Sequence, residues 1–227
     1  MKISPKERFL DACHFKRPGD LCLLSAGVSV FMEQTLKKWI EQGAPEEIMN
    51  PGFRNDYFQI QHIHWLGEIK SGLRGIPGDE LPTIDLGRGI TLIGETLSPT
   101  VPACEPRIVS EDERSATYIN TVGQTVKRLR ESTKTDWGMS MFLDWPVKDR
   151  ATWNEYKERL DPNTPERWPS DWNAYVQEMN GKSEPLALQV GGFYGFLREW
   201  VGSEKILYMF YDDPGLIEDM MEQMLYL

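Results

Sequence analysis

Histidine and cysteine are scarce, with three of each in a chain of 227 residues. Cys13, Cys22 and Cys104 are too few and too scattered for a disulfide framework or a Cys-x-x-Cys metal knuckle, so reduced thiols are expected. His14, His62 and His64 are too few for a persuasive Ser/His/Asp or Cys/His arrangement. His62-Ile63-His64 sets two imidazoles on one face of a strand, the spacing of a His-x-His metal pair. No further ligand cluster lies near it, and a partly exposed aromatic loop is the expected reading. Basic residues are in deficit as well: 25 Lys and Arg stand against 35 Asp and Glu, a net charge of −10. No excess remains to neutralise a phosphate backbone, and the one basic cluster is Lys127-Arg128-Leu129-Arg130, so nucleic acid is not an expected partner.

Long apolar runs are also missing. None approaches the ~18 residues that cross a bilayer, and residues 1–17 are charged throughout, with no signal-peptide apolar region. The expectation is a soluble, cytoplasmic protein with no membrane partner. There is no repeat at a fixed period, no low-complexity segment and no flexible interdomain linker. What is present, 40% hydrophobic and 26% charged residues, suffices for a core of ordinary size in one large or two small domains.

The most informative stretch runs from Pro185 to Gly202. Leu186 to Val190 is a short apolar run that breaks into Gly191-Gly192, and Phe193, Leu197, Trp200 and Val201 then follow at helical spacing. This predicts a buried strand, a tight turn and a helix. In α/β folds the turn after a strand's carboxyl end borders the ligand crevice, because helix N-terminal amides and bare glycine backbone face it. Gly191, Gly192, Phe193 and Tyr194 are therefore the candidate substrate-binding residues. The simpler alternative is that paired glycines only permit a sharp turn.

Upstream, Ser4-Pro5-Lys6-Glu7 is a capping box with proline at the first helical position, and a helix should run to about Phe15. Leu21 to Leu24 is a strand candidate, Ser29 caps a second helix, and residues 44–50 make another helical turn or two. Residues 51–106 are dense in Gly and Pro and predict short strands and loops, with strands at Phe58–His62, Pro82–Asp85 and Gly89–Ile93. Arg107–Val109, Ala116–Asn120 and Thr125–Arg130, separated by turns, form a β-meander with one face in water. Downstream, helices start at Asp149, Ser170, Ser203 and Asp213-Pro214.

Taken in order, Ser-Pro-Lys-Glu-Arg-Phe-Leu, Cys22-Leu-Leu-Ser-Ala-Gly27, Asp85 with Gly94, Glu105-Pro106, Pro146-Val147-Lys148-Asp149, Gly191-Gly192 and Tyr211-Asp-Asp-Pro214 resemble the uroporphyrinogen decarboxylase family. That family includes the haem-pathway decarboxylase and corrinoid-linked methyltransferases. The resemblance implies an α/β fold, a (β/α)₈ TIM barrel with added N-terminal helices, of which this chain would hold the amino-terminal portion. A helical extension would occupy 1–80, the first barrel strand and the meander 81–130, and helices with the next barrel strand 131–227. It further implies that Asp85, at the end of the first barrel strand, is catalytic, as a carboxylate that stabilises positive charge developing on a ring.

Two departures separate the chain from the decarboxylase. Leu24 and Val28 stand where that enzyme has arginines that pair with substrate carboxylates, and Trp200 stands where it has a tyrosine. The expected reaction is thus a methyltransferase-like one on a small molecule. In the full-length protein the resemblance allows zinc, held by a His-x-Cys and a later Cys past Leu227, and a corrinoid with a corrinoid-protein partner. Porphyrinogen decarboxylation and a non-catalytic piece that needs a second polypeptide are the alternatives. An unclosed barrel would expose strand edges and apolar faces, so poor solubility or homodimerisation is expected of the chain alone.

Overall fold

The computed structural model describes residues 3–16, 23–24, 33–66, 83–86, 91–93, 99–129, 140–188 and 192–227. They fall into two units, one of residues 1–66 with 171–187 and one of residues 67–170 with 188–227.

In the first unit, α1 (Pro5–Cys13) starts as expected: the Ser4 hydroxyl accepts from the Glu7 amide at 3.2 Å, and the Glu7 carboxylate accepts from the Ser4 amide at 2.9 Å. The strand β1 (Leu23–Leu24) pairs in parallel with β2 (Ile60–Gln61), and the helices α2 (Glu33–Glu41) and α3 (Pro51–Tyr57) lie between them in sequence. A three-ten turn at Glu46–Met49 fills the 44–50 interval. The Ser29 cap lies outside the described residues.

The helix α3 corrects the expectation of loops and strands after residue 51. Asn50 caps it by accepting from the Phe53 amide at 3.1 Å, and Pro51 takes the first position, where its missing amide costs nothing. A second parallel pair joins β3 (His64–Trp65) to β10 (Leu186–Ala187). The helix α5 (Trp172–Asn180) is capped by Asp171 rather than Ser170, and Tyr175 and Met179 are buried while Trp172 is exposed.

In the second unit, β4 (Thr83–Asp85) and β5 (Thr91–Ile93) form an antiparallel pair. A β/α-barrel strand needs parallel neighbours. The pairing seen for the expected first barrel strand is a hairpin instead, and among the described residues no barrel is closed. The meander has four strands, one more than expected: β6 (Arg107–Glu111), β7 (Ser115–Ile119), β8 (Thr125–Leu129) and β9 (Ser140–Asp144), antiparallel in that order. Ala116, Tyr118 and Val126 are buried on its inner face.

Helices make the larger core of this unit. They are α4 (Arg150–Lys157), α6 (Phe193–Val201), α7 (Lys205–Asp212) and α8 (Pro214–Tyr226). Trp200 is fully buried at its centre, with ring centroids 5.5 Å from Trp153, 5.7 Å from Tyr156 and 5.4 Å from Phe196. Leu197, Val201, Ile206, Leu216, Ile217 and Met220 complete the packing. The caps at Asp149 and Asp213 are as expected. The α7 helix begins at Lys205, with Glu204 rather than Ser203 before it.

Two polar clasps fix the loops around this core. The buried Arg167 guanidinium donates to the carbonyls of Asp161 at 2.6 Å, Pro99 at 2.7 Å and Arg159 at 2.6 Å. The hairpin turn between β7 and β8 is closed by Asn120, whose Oδ1 accepts from the amides of Val122 and Gln124. Gln124 Nε2 in turn donates to the carbonyl and the carboxylate of Glu199 on α6, both at 2.8 Å.

Candidate functional site

Asp85 ends β4 opposite Thr91 of β5. The next residue, Leu86, packs against the Ala116–Tyr118–Val126 cluster under the four-stranded sheet. Leu86 also lines a shallow cleft of about 430 Å³ whose other wall is residues 106–111 along β6. That wall brings in the Arg107 guanidinium and the Glu111 carboxylate, neither of which sequence reasoning singled out. The signal available was the edge position of the first meander strand, next to Glu105-Pro106.

The second candidate group opens α6. Gly191 lies outside the described residues. Gly192 is the N-cap at φ −85°, ψ 144°, and no side chain caps the helix. This φ is open to any residue, and no described atom lies within 4 Å of a Cβ built at Gly192 or at Gly195. At Gly192, then, neither the turn conformation nor packing requires glycine. Bare backbone and open space border the first turn of the helix. Phe193 and Tyr194 are exposed by 43% and 49%, and Leu188 before the turn by 43%. The main packing of β4 is against β5, and that of α6 is against α7 and α8, so the described contacts do not join Asp85 to the α6 turn.

The His-x-His pair alternates with the buried Gln61 and Ile63, which leaves His62 exposed and His64 half-buried on the other side. Here β3 starts only at His64, so the two imidazoles are not on one continuous strand. Glu184 lies within electrostatic reach of both. Its carboxyl is held below the usual range, first by a hydrogen bond from its own amide and, against a small burial penalty, by the Ser183 hydroxyl and the two imidazoles. Among the described residues no three His, Cys, Asp or Glu side chains converge to hold a metal ion.

Other reactive groups serve the core. Burial pushes the Cys104 thiol up against the opposing charge of Arg159, and it pushes the Tyr156 hydroxyl well up, where that group donates to the Val122 carbonyl at 2.9 Å. A second open cleft, about 440 Å³, lies between the carboxyl ends of α4 and α8. Two of its polar groups are already engaged: Lys157 with Asp219 at 2.6 Å, and Gln223 with the Leu160 carbonyl at 2.8 Å. Trp200 belongs to the helical core.

Comparison of the chain with known protein families, with curated proteins and with solved structures finds no match.

Proposed function

We propose that this chain is part of a uroporphyrinogen-decarboxylase-type enzyme with a (β/α)₈ barrel, acting on a small molecule in a methyltransferase-like reaction. The observation that carries the reading is the first turn of α6. Its glycine cap is required by neither conformation nor packing, and it leaves backbone amides and the faces of Phe193 and Tyr194 open to a ligand. In this reading Asp85 supplies a fixed negative charge toward a substrate that becomes positive as it reacts, and Arg107 orients an acidic substituent from the cleft beside Leu86. A corrinoid would supply the methyl-carrying chemistry. The chain's own contribution is binding, orientation and charge.

The net charge of −10 and the aliphatic Leu24 favour this branch over a porphyrinogen with eight carboxylates. A non-catalytic piece is the second reading, favoured by one observation: among the described residues both parallel sheets stop at two strands.

The test is a titration of the chain with methylcobalamin and, separately, with uroporphyrin, read by tryptophan quenching and cobalamin absorbance. The expected result is methylcobalamin binding that Gly192→Val weakens by about tenfold or more without changing the melting temperature. Asp85→Asn should leave that binding intact while slowing demethylation in the presence of a thiol. Tighter binding of uroporphyrin would transfer the assignment to the decarboxylase. Binding of neither ligand would leave the non-catalytic piece.

A further inference from the structure

The helix α7 has two opposite faces. Ile206 and Met209 are buried in the core. The other half is Leu207, Tyr208, Phe210 and Tyr211, exposed by 55%, 62%, 43% and 88%. At about 100° per residue these four fill one continuous arc with no charged helix residue inside it. A surface helix ordinarily turns its charged side to water. Here the water-facing half is aromatic and aliphatic. With large side chains of ~150–250 Å² each, the arc places roughly 400 Å² of largely apolar surface in solvent, the size at which a patch on a monomer marks an interaction site.

We propose that this arc is a self-association face, on which α7 of one copy packs antiparallel against α7 of a second copy about a two-fold axis near Tyr208. Charge selects a second copy as the occupant. Lys205 and Asp212 stand at opposite ends of the helix on the same flank, so antiparallel pairing brings Lys205 of each copy to Asp212 of the other, twice by symmetry. The Lys205 ammonium also donates to the Lys148 carbonyl within its own chain, and its remaining N–H groups are available for the pair.

Area sets the strength. Two such arcs bury roughly 800 Å² in total, at the weak end of specific interfaces, which predicts a dimer that dissociates in the micromolar range. The net charge of −10 opposes an anionic membrane and a second copy alike, and the two Lys205–Asp212 pairs are what favours the second copy. This inference does not depend on the reaction proposed above.

Sedimentation velocity on the full chain from ~1 to ~200 µM spans the expected dissociation constant. The mass should rise from monomer toward dimer across that range. Tyr211→Glu should weaken association by about tenfold or more, with unchanged melting because the residue is exposed. Lys205→Asp alone should weaken it as well, and the exchange Lys205→Asp with Asp212→Lys should restore it. A monomer at every concentration would overturn the proposal. So would a dimer indifferent to Tyr211→Glu, which would move the interface elsewhere, first to the exposed edge strand β9. Loss by Lys205→Asp without rescue by the exchange would overturn the antiparallel pairing.

Discussion

Replacing Gly202 with alanine tests two independent demands at one position. Gly202 ends α6 at φ 100°, ψ 150°, a region that side-chain-bearing residues avoid at a cost of about 1–3 kcal/mol. A Cβ there would also lie 2.8 Å from Trp145 Cδ2 and 3.0 Å from two further indole carbons. Forcing a carbon into packed surroundings adds about 1–3 kcal/mol. The indole can retreat, so the packing part has a lower bound near zero, whereas the backbone part stays. The expected loss is roughly 1–6 kcal/mol, against the ~5–15 kcal/mol that holds a typical domain folded. At ~2–4 °C per kcal/mol the melting temperature should fall by roughly 2–24 °C.

Urea denaturation followed by tryptophan fluorescence and far-ultraviolet circular dichroism gives the value, with Trp145→Ala and the double variant completing a cycle. If both demands act, Trp145→Ala recovers part of the Gly202→Ala loss and leaves at least ~1 kcal/mol behind. A Gly202→Ala protein within ~0.5 kcal/mol of the parent would refute the backbone argument outright, because no side-chain movement relieves that term.

Two further outcomes follow from the helical core. Arg167→Met removes three charge-assisted bonds; the Arg159 and Asp161 carbonyls keep the amides of Val101 and Thr164, whereas the Pro99 carbonyl loses its guanidinium donor, so the protein should lose roughly 3–5 kcal/mol by urea titration, with Arg167→Lys recovering only part of it. Burial alone would raise the Asp219 carboxyl, but hydrogen bonds from Lys157 and Trp153 and the charges of Lys157 and Arg150 outweigh it, and the net position is below 3.8. A depressed folded-state value means that the folded protein binds fewer protons than the unfolded chain, so this stability is complete above about pH 4 and is lost as the pH falls through the folded value. Melting curves between about pH 6 and pH 2 should show a shallower acid-side fall for Asp219→Asn than for the parent, and parallel curves would count against the assignment.

Helix starts were the most legible features of the chain because their chemistry is local. The Ser4–Glu7 box, Asp149 and Asp213-Pro214 each satisfy amides within one turn, and each stands where expected. Helical spacing puts Trp153 and Tyr156 on one face of α4 and Leu216, Ile217, Met220 and Leu225 on one face of α8; all but Leu225 are buried. The seven-residue α3 escaped because a helix that short shows no full apolar stripe, and its Asn50-Pro51 start was masked by the surrounding glycine and proline. Pairing direction was not legible at all. Thr83–Asp85 has the composition of a buried barrel strand, but direction is decided by what lies beside it, and its partner is antiparallel.

For the site, the residues of the α6 turn were legible as a strand–glycine–helix sequence, but only backbone dihedrals and neighbouring atoms separate a glycine required by its turn from one that is not. The Arg107 wall depends on a cleft between segments twenty residues apart, which no local pattern announces.

The β3–β10 pairing sets the order in which the protein can be built. The amides of His64 and Leu66 are taken by the carbonyls of Pro185 and Ala187, and the Lys6 amide is taken by that of Ser183, so the first unit closes only when its carboxyl-terminal strand exists. On a ribosome adding ~5–20 residues per second, roughly 120 further residues take roughly 6–24 s. During that interval the α1–α3 segment has left the exit tunnel without its last strand, while the chain between is itself waiting for α6 to α8. The amino-terminal helices, although the first part made, therefore wait longest for their last pairing partner.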